Sequence, residues 1–428
     1  MPQFLLRWRV RCRARAGVVV GVALGCWAEG CPESSPYGPH SEIRPGRAVG
    51  AATSVHNARY LQKIEWMMDE ELILLNPGPA CTSQRVKDAL LRGDLCHREP
   101  EFTDLLFRIR EALPRCLNLG GTHEAILVTG SGTAAMEMAV ISSVREGRGV
   151  LVVNNGVYGD RMIKIARAHG IAVHEVRSDW TVPADPEAVR DALAEHDDID
   201  AVICVHHETT TGLINPIKEI GEIVAGSGAL FVIDAISGTA IEDQDLAEVR
   251  VDVVCGTANK GLHGLPGMAF ILCSPASIAR VQEVPERSLY LNAAAYLKSD
   301  VPFTPAVQVC YALDEAIEEY EAQGGFAART KLYRERAALV RGQFERLGLR
   351  VLVDERFRSN TVTMLHLPDG VTYQSLHDEL KKRGYVIYAG QGRLSNDFFR
   401  ICTMGEIPWD RLEQLEGTLG AAIEAARG

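Results

Sequence analysis

Residues 251–273 read VDVVCGTANKGLHGLPGMAFILC. Two apolar runs, VDVVC and MAFILC, flank a turn of mostly small residues in which Lys260 is the only charged side chain. Apolar runs of this length predict buried strands. Burial lowers the pKa of a lysine and leaves more of it as the free amine. Because such amines form Schiff bases with carbonyl compounds, Lys260 is a candidate nucleophile.

Upstream of this stretch, short apolar runs alternate with amphipathic, helix-like segments. The runs include HEAILVTG at 123–130, GVLVVNNG at 149–156 and ALFVIDAIS at 229–237. This alternation predicts an α/β fold in which helices cover both faces of a mostly parallel sheet. In such sheets ligands bind beyond the carboxyl ends of the strands. The loops that follow the apolar runs are therefore where the site residues are expected.

The 428 residues divide into three predicted regions. Residues 1–66 are rich in arginine, then apolar, then rich in Pro, Gly and Ser, and are predicted to be a disordered or non-native extension. A targeting peptide is the alternative for this segment. Residues 67–315 are predicted to form a large cofactor-binding domain. Residues 316–428, which continue with long helices, are predicted to form a smaller C-terminal α+β domain.

The composition limits the classes of function. The formal net charge of −11 argues against a nucleic-acid partner. The N-terminal apolar run is too short to span a bilayer as a helix. The 11 cysteines are scattered singly with no CxxC pair, which predicts free thiols in a cytoplasmic, reducing compartment. No metal is expected either, because the adjacent His206 and His207 of a strand point to opposite faces.

Two loops after predicted strands carry groups suited to a charged ligand. In VTGSGTAAMEM, the turn Ser131–Gly132–Thr133 enters a helix and offers unpaired N–H groups to a phosphate. In FVIDAIS, Asp234 ends an apolar strand, where a carboxylate must be paired or expensively desolvated. Taken alone, the turn is an ordinary helix cap and the aspartate an ordinary loop anchor. A cationic ring nitrogen would be a suitable partner for Asp234.

Two further loops supply a hydroxyl and an aromatic ring. HHETTTG offers Thr209 as a hydrogen-bond donor to a phenolate-like oxygen, and NNGVYGDRM offers Tyr158 as a ring that could cover a flat cofactor. A lysine, a buried aspartate, a phosphate turn, a hydroxyl and a ring are the groups that hold pyridoxal 5′-phosphate. A nicotinamide-dependent dehydrogenase is disfavoured, because the GxGxxG fingerprint is missing.

The chain resembles the fold-type I, class-V aminotransferases from about Leu74 to Ile423. The motifs that carry the resemblance stand in family order: LLNPGP, GSGTAAMEM, NNGVYGDRM, HHETTTGLINPI, VIDAIS, TANKGLHGLPG, IYAGQ and FFRICTMGE. Within the class, the motifs HHETTTGLINPI and TANKGLHGLPG look most like those of the branch that acts on 2-aminoethylphosphonate and pyruvate. The glyoxylate-type relatives usually carry a serine-containing version of the first of these motifs.

The resemblance implies a set of site residues. Lys260 would be the Schiff-base and catalytic lysine, and Asp234 the partner of the pyridine nitrogen. The remaining implied cofactor contacts are Ser131, Gly132 and Thr133 on the phosphate, Thr209 on the ring oxygen, Tyr158 and Ile236 on the two ring faces, and Thr304 on the phosphate of a neighbouring subunit. Thr304 in this role implies a homodimer with active sites at the subunit interface. Tyr158 departs from the tryptophan of many relatives.

Arg400 matches the arginine that binds the anionic group of the substrate, and a guanidinium fork suits both carboxylate and phosphonate. His97 and Arg98, in CHREPEF, would add an anion contact or would form a structural salt bridge. The implied reaction is transamination of 2-aminoethylphosphonate with pyruvate. The alternatives are an alanine/serine–glyoxylate transaminase, a transaminase of another aminophosphonate, and a non-catalytic protein that binds pyridoxal phosphate.

Overall fold

The computed structural model of the chain describes residues 72–428. The predicted extension, residues 1–66, lies outside the described residues. The described strands are β1 (Ile73–Leu74), β2 (Glu124–Gly130), β3 (Gly149–Asn154), β4 (Ala172–Arg177), β5 (Ile199–Val205), β6 (His207–Glu208), β7 (Leu213–Ile214), β8 (Leu230–Asp234), β9 (Val253–Thr257), β10 (Gly267–Cys273), β11 (Val362–His366), β12 (Tyr385–Val386), β13 (Tyr388–Ala389) and β14 (Phe398–Cys402). The described α-helices are α1 (Gln84–Asp88), α2 (Pro100–Cys116), α3 (Gly132–Ile141), α4 (Val157–Ala168), α5 (Pro186–Glu195), α6 (Ile217–Val224), α7 (Pro275–Val281), α8 (Ala293–Lys298), α9 (Val307–Ala322), α10 (Gly325–Arg346), α11 (Tyr373–Lys382), α12 (Trp409–Glu413) and α13 (Leu415–Arg427).

The main sheet of residues 72–428 has seven strands in the order β2-β10-β9-β8-β5-β3-β4. The pairs from β9 to β4 are all parallel, whereas β10 runs antiparallel to both of its neighbours. The predicted α/β fold with a mostly parallel sheet is confirmed, and the fold is that of the fold-type I transferases.

The central strands are apolar throughout because both of their faces are buried. In β5, Ala201 and Ile203 enter one core, whereas Val202 and Cys204 enter the core on the opposite face. Helices α3 and α4 cover the first face, and α2, α5, α6 and α9 cover the second. Successive side chains of a strand point to opposite faces, so a strand between two helical layers reads as an unbroken apolar run.

A smaller C-terminal domain is built around a second sheet in the order β11-β14-β13. Helices α10 and α11 pack on it through a separate core that contains Phe344, Leu376 and Phe399. Strand β1 also joins this core, because Ile73 and Leu74 pair in parallel with Tyr385 and Val386 of β12. The smaller domain is confirmed as predicted. Its boundary between residues 315 and 316 stays a prediction.

The topology brings the predicted site loops to one edge of the main sheet. Strands β2, β3, β5, β8 and β9 point in the same direction, and a predicted site residue ends or follows each of them. The smaller domain adds β14, which carries Arg400. As for the membrane, none of the helices in the described part of the chain combines the length and the apolar character needed to cross a bilayer.

Candidate active site

Lys260 lies partly buried in the turn that follows β9, between the two apolar runs seen in the sequence. Its Nζ donates a hydrogen bond to the carbonyl oxygen of Pro77. Gly78 stands so close that a Cβ there would lie 2.5 Å from the lysine Cε. Desolvation lowers the pKa of Lys260 to about 8, opposed by the charges of Cys402 and Asp234 and assisted by that of Arg400. At physiological pH a minor fraction of the side chain is therefore the neutral amine, much more than for an ordinary lysine.

Asp234 is the last residue of β8 and lies in the same buried region. Its Oδ1 accepts a hydrogen bond of 3.0 Å from the backbone N–H of Ile236. Burial raises the pKa of Asp234 to about 6, although the Ile236 hydrogen bond and the positive charges of Arg161 and Lys260 oppose the shift. A buried carboxylate with so few partners is suited to a cationic group brought by a ligand.

The turn Ser131–Gly132–Thr133 begins α3 as predicted. Ser131 is the N-cap residue but makes no side-chain capping bond, so its hydroxyl does not occupy the helix N–H groups. A Cβ on Gly132 would lie 2.7 Å from Cδ1 of Ile236. Only a glycine therefore allows Ile236 to pack this closely on the turn. The helix start leaves N–H donors and the positive end of the helix dipole for an anion.

Arg161 is a site residue that was not identified from the sequence. Its Nη1 donates to Thr133 Oγ1 at 3.2 Å, and its guanidinium carbon lies 4.7 Å from the centre of the Tyr158 ring. The two residues lie three positions apart near the start of α4, a spacing that places side chains on one helix face. The three-residue spacing of Tyr158 and Arg161 in NNGVYGDRM is the sequence feature from which Arg161 could have been predicted. Arg161 adds a positive charge beside the turn Ser131–Gly132–Thr133.

Thr209 and Arg400 meet in the loop after β5. Thr209 Oγ1 is buried and has no hydrogen-bond partner among the described residues. The Thr209 carbonyl accepts a 3.0 Å hydrogen bond from Nη1 of Arg400, whose Nε donates to the Ala389 carbonyl. Arg400 is 2% exposed, and burial lowers its pKa. Two of its nitrogens are held by backbone carbonyls, and no protein partner of its Nη2 is found within residues 72–428.

Glu208 is a second site residue that was not identified from the sequence. Its side chain is fully buried, and its Oε1 and Oε2 accept hydrogen bonds from the backbone N–H groups of Thr210 and Tyr158, at 2.9 and 3.3 Å. Desolvation raises the pKa of Glu208 to about 7. Glu208 stands between an apolar strand and three threonines, and this position is the sequence feature from which it could have been predicted. Glu208 joins the loop after β5 to the start of α4.

His97, Arg98 and Thr304 lie apart from this group within the described chain. Arg98 Nη1 is 3.5 Å from the carbonyl oxygen of Val301, and Thr304 is exposed. None of the three forms a hydrogen bond or ion pair with Lys260 or Arg400 in the part of the chain that the structure describes. The structure therefore brings Lys260, Asp234, Ile236, Thr209 and the helix-start turn together, but it does not bring these three residues to them.

The residues that meet here fit pyridoxal 5′-phosphate. The unpaired Thr209 hydroxyl can bind the ring oxygen, and the buried Asp234 carboxylate can bind the ring nitrogen. The turn Ser131–Gly132–Thr133, with Arg161 beside it, can hold the phosphate. Ile236 lies in the loop after β8 and the half-buried Tyr158 in the first turn of α4. Lys260 can supply the amine for the aldehyde carbon.

Comparisons with known proteins give a consistent result. The profile of the family described as aminotransferase class-V matches residues 83–396. A protein of Syntrophobacter fumaroxidans named 2-aminoethylphosphonate–pyruvate transaminase is 35% identical over 348 residues, which are 78% of this chain and 92% of that protein. The structure of ureidoglycine–glyoxylate aminotransferase from Bacillus subtilis has a TM-score of 0.79 at 25% identity, covering 83% of this chain and 94% of that one. The structure of alanine–glyoxylate aminotransferase from Nostoc sp. has a TM-score of 0.78 at 26% identity, covering 82% of this chain and 95% of that one.

Proposed function

The chain belongs to the class-V aminotransferases, which depend on pyridoxal 5′-phosphate, and we propose that it transfers the amino group of 2-aminoethylphosphonate to pyruvate. The products of this reaction are phosphonoacetaldehyde and L-alanine. The observation that carries aminotransfer with an anionic substrate is the buried guanidinium of Arg400, whose charge acts on Lys260. The name and the 35% identity of the Syntrophobacter relative support the choice of substrate.

Lys260 holds the cofactor and moves the reacting proton in this proposal. Bound pyridoxal phosphate supplies an electron sink for the charge left on the substrate carbon. With a pKa lowered to about 8, Lys260 is partly the neutral amine near neutral pH. Its Nζ can then take a proton from the carbon that bears the amino group and return one in the half-reaction with pyruvate. The glycines beside it leave room for this movement.

Asp234 and the helix-start turn orient the cofactor. Burial of the Asp234 carboxylate makes its attraction for a protonated ring nitrogen strong, because little water screens the pair. Ser131, Gly132 and Thr133 bind the phosphate through the N-terminus of α3, and Arg161 adds charge there. Thr209 binds the ring oxygen through its unpaired hydroxyl. Tyr158 and Ile236 would cover the two faces of the ring when the cofactor is bound.

Arg400 binds the anionic end of each substrate. The carbonyls of Thr209 and Ala389 hold two of its nitrogens in place, which fixes the orientation of the guanidinium plane. A phosphonate and a carboxylate can each accept hydrogen bonds from the remaining donors. One arginine can thus serve both half-reactions, in which the amino donor and the 2-oxo acid occupy the site in turn.

The active enzyme is a homodimer in this proposal. Thr304 is exposed in the single chain, and in this proposal it reaches the phosphate site of a partner subunit. His97 and Arg98 contribute to substrate binding at the same interface. Each half of the dimer would then complete the site of the other, which explains why these three residues lie away from Lys260 within one chain.

The cell compartment is proposed from the cysteines. The cysteines of residues 72–428 form no disulfide with one another, and most of them are buried. Free thiols persist in reducing surroundings, so we assign the protein to the cytoplasm.

Transamination of alanine or serine with glyoxylate is the alternative function. Its support is the likeness to the Nostoc alanine–glyoxylate aminotransferase, with a TM-score of 0.78. The guanidinium fork of Arg400 does not by itself separate the two, since it accepts a carboxylate as readily as a phosphonate. The amino donor must therefore be identified by a direct comparison of substrates.

The test uses the purified enzyme loaded with pyridoxal phosphate. We expect 2-aminoethylphosphonate to bleach the visible absorbance of the bound cofactor, and pyruvate to restore it with release of L-alanine. L-Alanine and L-serine, each followed by glyoxylate, are the comparison. If either pair reacts far faster than 2-aminoethylphosphonate and pyruvate, the proposed substrate is wrong, although the assignment as an aminotransferase stands. Lys260→Ala is the control and should lose turnover; full turnover in this variant would exclude the proposed role of Lys260.

A further inference from the structure

Two histidines and an aspartate form a cluster at one margin of the main sheet. His174 lies in β4, His196 is the C-cap residue of α5, and Asp198 lies in the short connection that leads into β5. In β4, His174 lies on the same face as Val176, which belongs to the core layer covered by α5. The strand, the helix end and the connection therefore bring the three side chains together.

The geometry of this cluster suits a metal ion. One ligand atom from each of His174, His196 and Asp198 lies within 4.8 Å of the other two. His174 Nε2 is 2.9 Å from Asp198 Oδ1, and the two imidazole rings stack with centroids 3.9 Å apart and 21° between their planes. All three residues are of intermediate burial, so they are accessible and partly desolvated.

We propose that His174, His196 and Asp198 form a binding site for a divalent transition-metal ion, with Zn²⁺ as the best match. Imidazole nitrogen and carboxylate oxygen are common ligands of Zn²⁺ and bind it at about 2.0–2.2 Å. In a tetrahedral site with bonds of this length, neighbouring ligand atoms lie about 3.3 Å apart. The ligand atoms of His174, His196 and Asp198 must therefore approach one another by about 1.5 Å at most. The partly exposed side chains can make this approach by rotation. Water completes the coordination.

The site is separate from the aminotransfer reaction. Asp198 immediately precedes the amino end of β5, whereas Thr209 follows its carboxyl end, so the length of the strand lies between the ion and the cofactor residues. Strand β4 is the edge strand of the sheet and pairs only with β3 among residues 72–428. An ion held by His174 and by the end of α5 would fasten this edge strand to its neighbours.

The test measures Zn²⁺ bound after equilibrium dialysis of the full chain loaded with pyridoxal phosphate. We expect the unmodified protein to bind one more equivalent than His174→Ala or His196→Ala. His169→Ala is the matched control, because His169 is another partly buried histidine paired with a carboxylate, Glu137. It should bind as many equivalents as the unmodified protein. Zinc held by the cofactor or by other cysteines and histidines is the same in all four proteins and cancels.

A second measurement uses Co²⁺ as a spectroscopic probe. We expect visible d–d bands in the unmodified protein and in His169→Ala, and loss of these bands in His196→Ala. His196 is at a helix end and partly exposed, so we expect His196→Ala to fold. This variant therefore tests the metal site even if His174→Ala does not fold. Equal zinc stoichiometry in the unmodified protein and His196→Ala would overturn the proposal. Cobalt bands of unchanged intensity in that variant would overturn it as well.

Discussion

Lys260 is a partly buried amine with cationic neighbours, and this predicts an unusual pH dependence. Its pKa is lowered from 10.5 to about 8, mainly by desolvation. A lowered pKa means that the proton is lost at a lower pH, so the reactive amine is already the major form above about pH 8. We expect the rate at which the cofactor-free protein takes up pyridoxal phosphate to rise with pH and then level off near that value.

Absorbance-detected uptake across pH 6 to about pH 10 measures this, with Nα-acetyl-lysine, whose only free amine is the side chain, as the control. The reaction of this side-chain amine should keep rising toward about pH 10.4, the ordinary pKa of lysine. A protein rate that also rises without levelling would show that Lys260 titrates as an ordinary lysine.

Glu208 gives a second prediction for a single residue. Its two carboxylate oxygens accept separately from the N–H groups of Thr210 and Tyr158. In Glu208→Gln only one oxygen remains, so one of these donors faces an amide NH₂ instead. We expect the free energy of unfolding to fall by about 1–3 kcal/mol, the usual cost of an unsatisfied buried group. Because Tyr158 and Thr209 flank the lost contact, we also expect weaker binding of pyridoxal phosphate.

Urea unfolding and a cofactor titration check both parts of this prediction. Glu137→Gln is the control, since Glu137 is partly exposed and bonds His169 away from the site. Cofactor binding in Glu208→Gln that equals binding in Glu137→Gln would show that Glu208 does not organise the site.

The sequence could predict Lys260, Asp234 and Thr209 as neighbours, but not Glu208 or Arg161. The first three each end or follow a strand, and parallel strands that end at one edge must bring such residues together. Glu208 is bonded by the N–H of Tyr158 and Arg161 bonds Thr133, and both partners belong to other segments of the chain. Their positions depend on how the loops pack, which the order of residues does not reveal.

The turn that carries Lys260 is anchored to a helix of the smaller domain. His263 Nε2 lies 2.6 Å from the hydroxyl of Tyr333 in α10, and that hydroxyl also accepts from the N–H of Gly405. Arg329, one turn earlier in α10, donates to the carbonyl of Gly261 at 2.8 Å. Burial lowers the pKa of His263 to about 3, so the ring is neutral and acts as a hydrogen-bonding group.

We therefore expect Tyr333→Phe to slow the half-reaction with the amino donor as well as to destabilise the fold. The loss of one hydroxyl leaves His263 and Gly405 without their buried partner, at a cost of about 1–3 kcal/mol. Urea unfolding and single-turnover rates measure the two effects. Tyr320→Phe is the matched control, because the buried Tyr320 hydroxyl bonds the Cys116 carbonyl instead of the lysine turn. Equal rates in the two variants would contradict a role in positioning Lys260.

The alternation of strands and helices was predictable, but strand direction and partner choice were not. An apolar run shows that both faces of a strand are buried, whichever way the strand runs. The antiparallel direction of β10 and the pairing of β1 with β12 are therefore invisible in the hydrophobic pattern. Both depend on which strand still has an unpaired edge when the later segment folds against it.

The surface of the whole molecule supports the proposed dimer. Leu289 is 73% exposed, and Tyr290 beside it packs on Phe303 with ring centroids 5.2 Å apart. Phe303 directly precedes Thr304, the residue proposed to reach the partner subunit. An exposed apolar group next to that residue is what the proposed contact surface requires.

We expect Leu289→Asp to shift the protein from dimer toward monomer and to weaken cofactor binding. A carboxylate placed in a desolvated interface is unfavourable because it has no partner there. Sedimentation velocity at several concentrations measures the assembly. Trp409→Asp is the control, because Trp409 is also an exposed apolar residue but belongs to the smaller domain. A dimer that survives Leu289→Asp unchanged would remove this surface from the interface.

The pairing of β1 with β12 sets the order in which the molecule can be completed. Leu75, just after β1, is bonded to Val386 and to Cys402, and the next residues bring the Pro77 carbonyl to Lys260. Ile73 and its partner Tyr385 are separated by roughly 310 residues, a contact of very high sequence separation. During synthesis, a segment near the start of the described chain must therefore wait for strands close to the end. The turn that carries Lys260 acquires its final neighbours only when almost the whole polypeptide has left the ribosome.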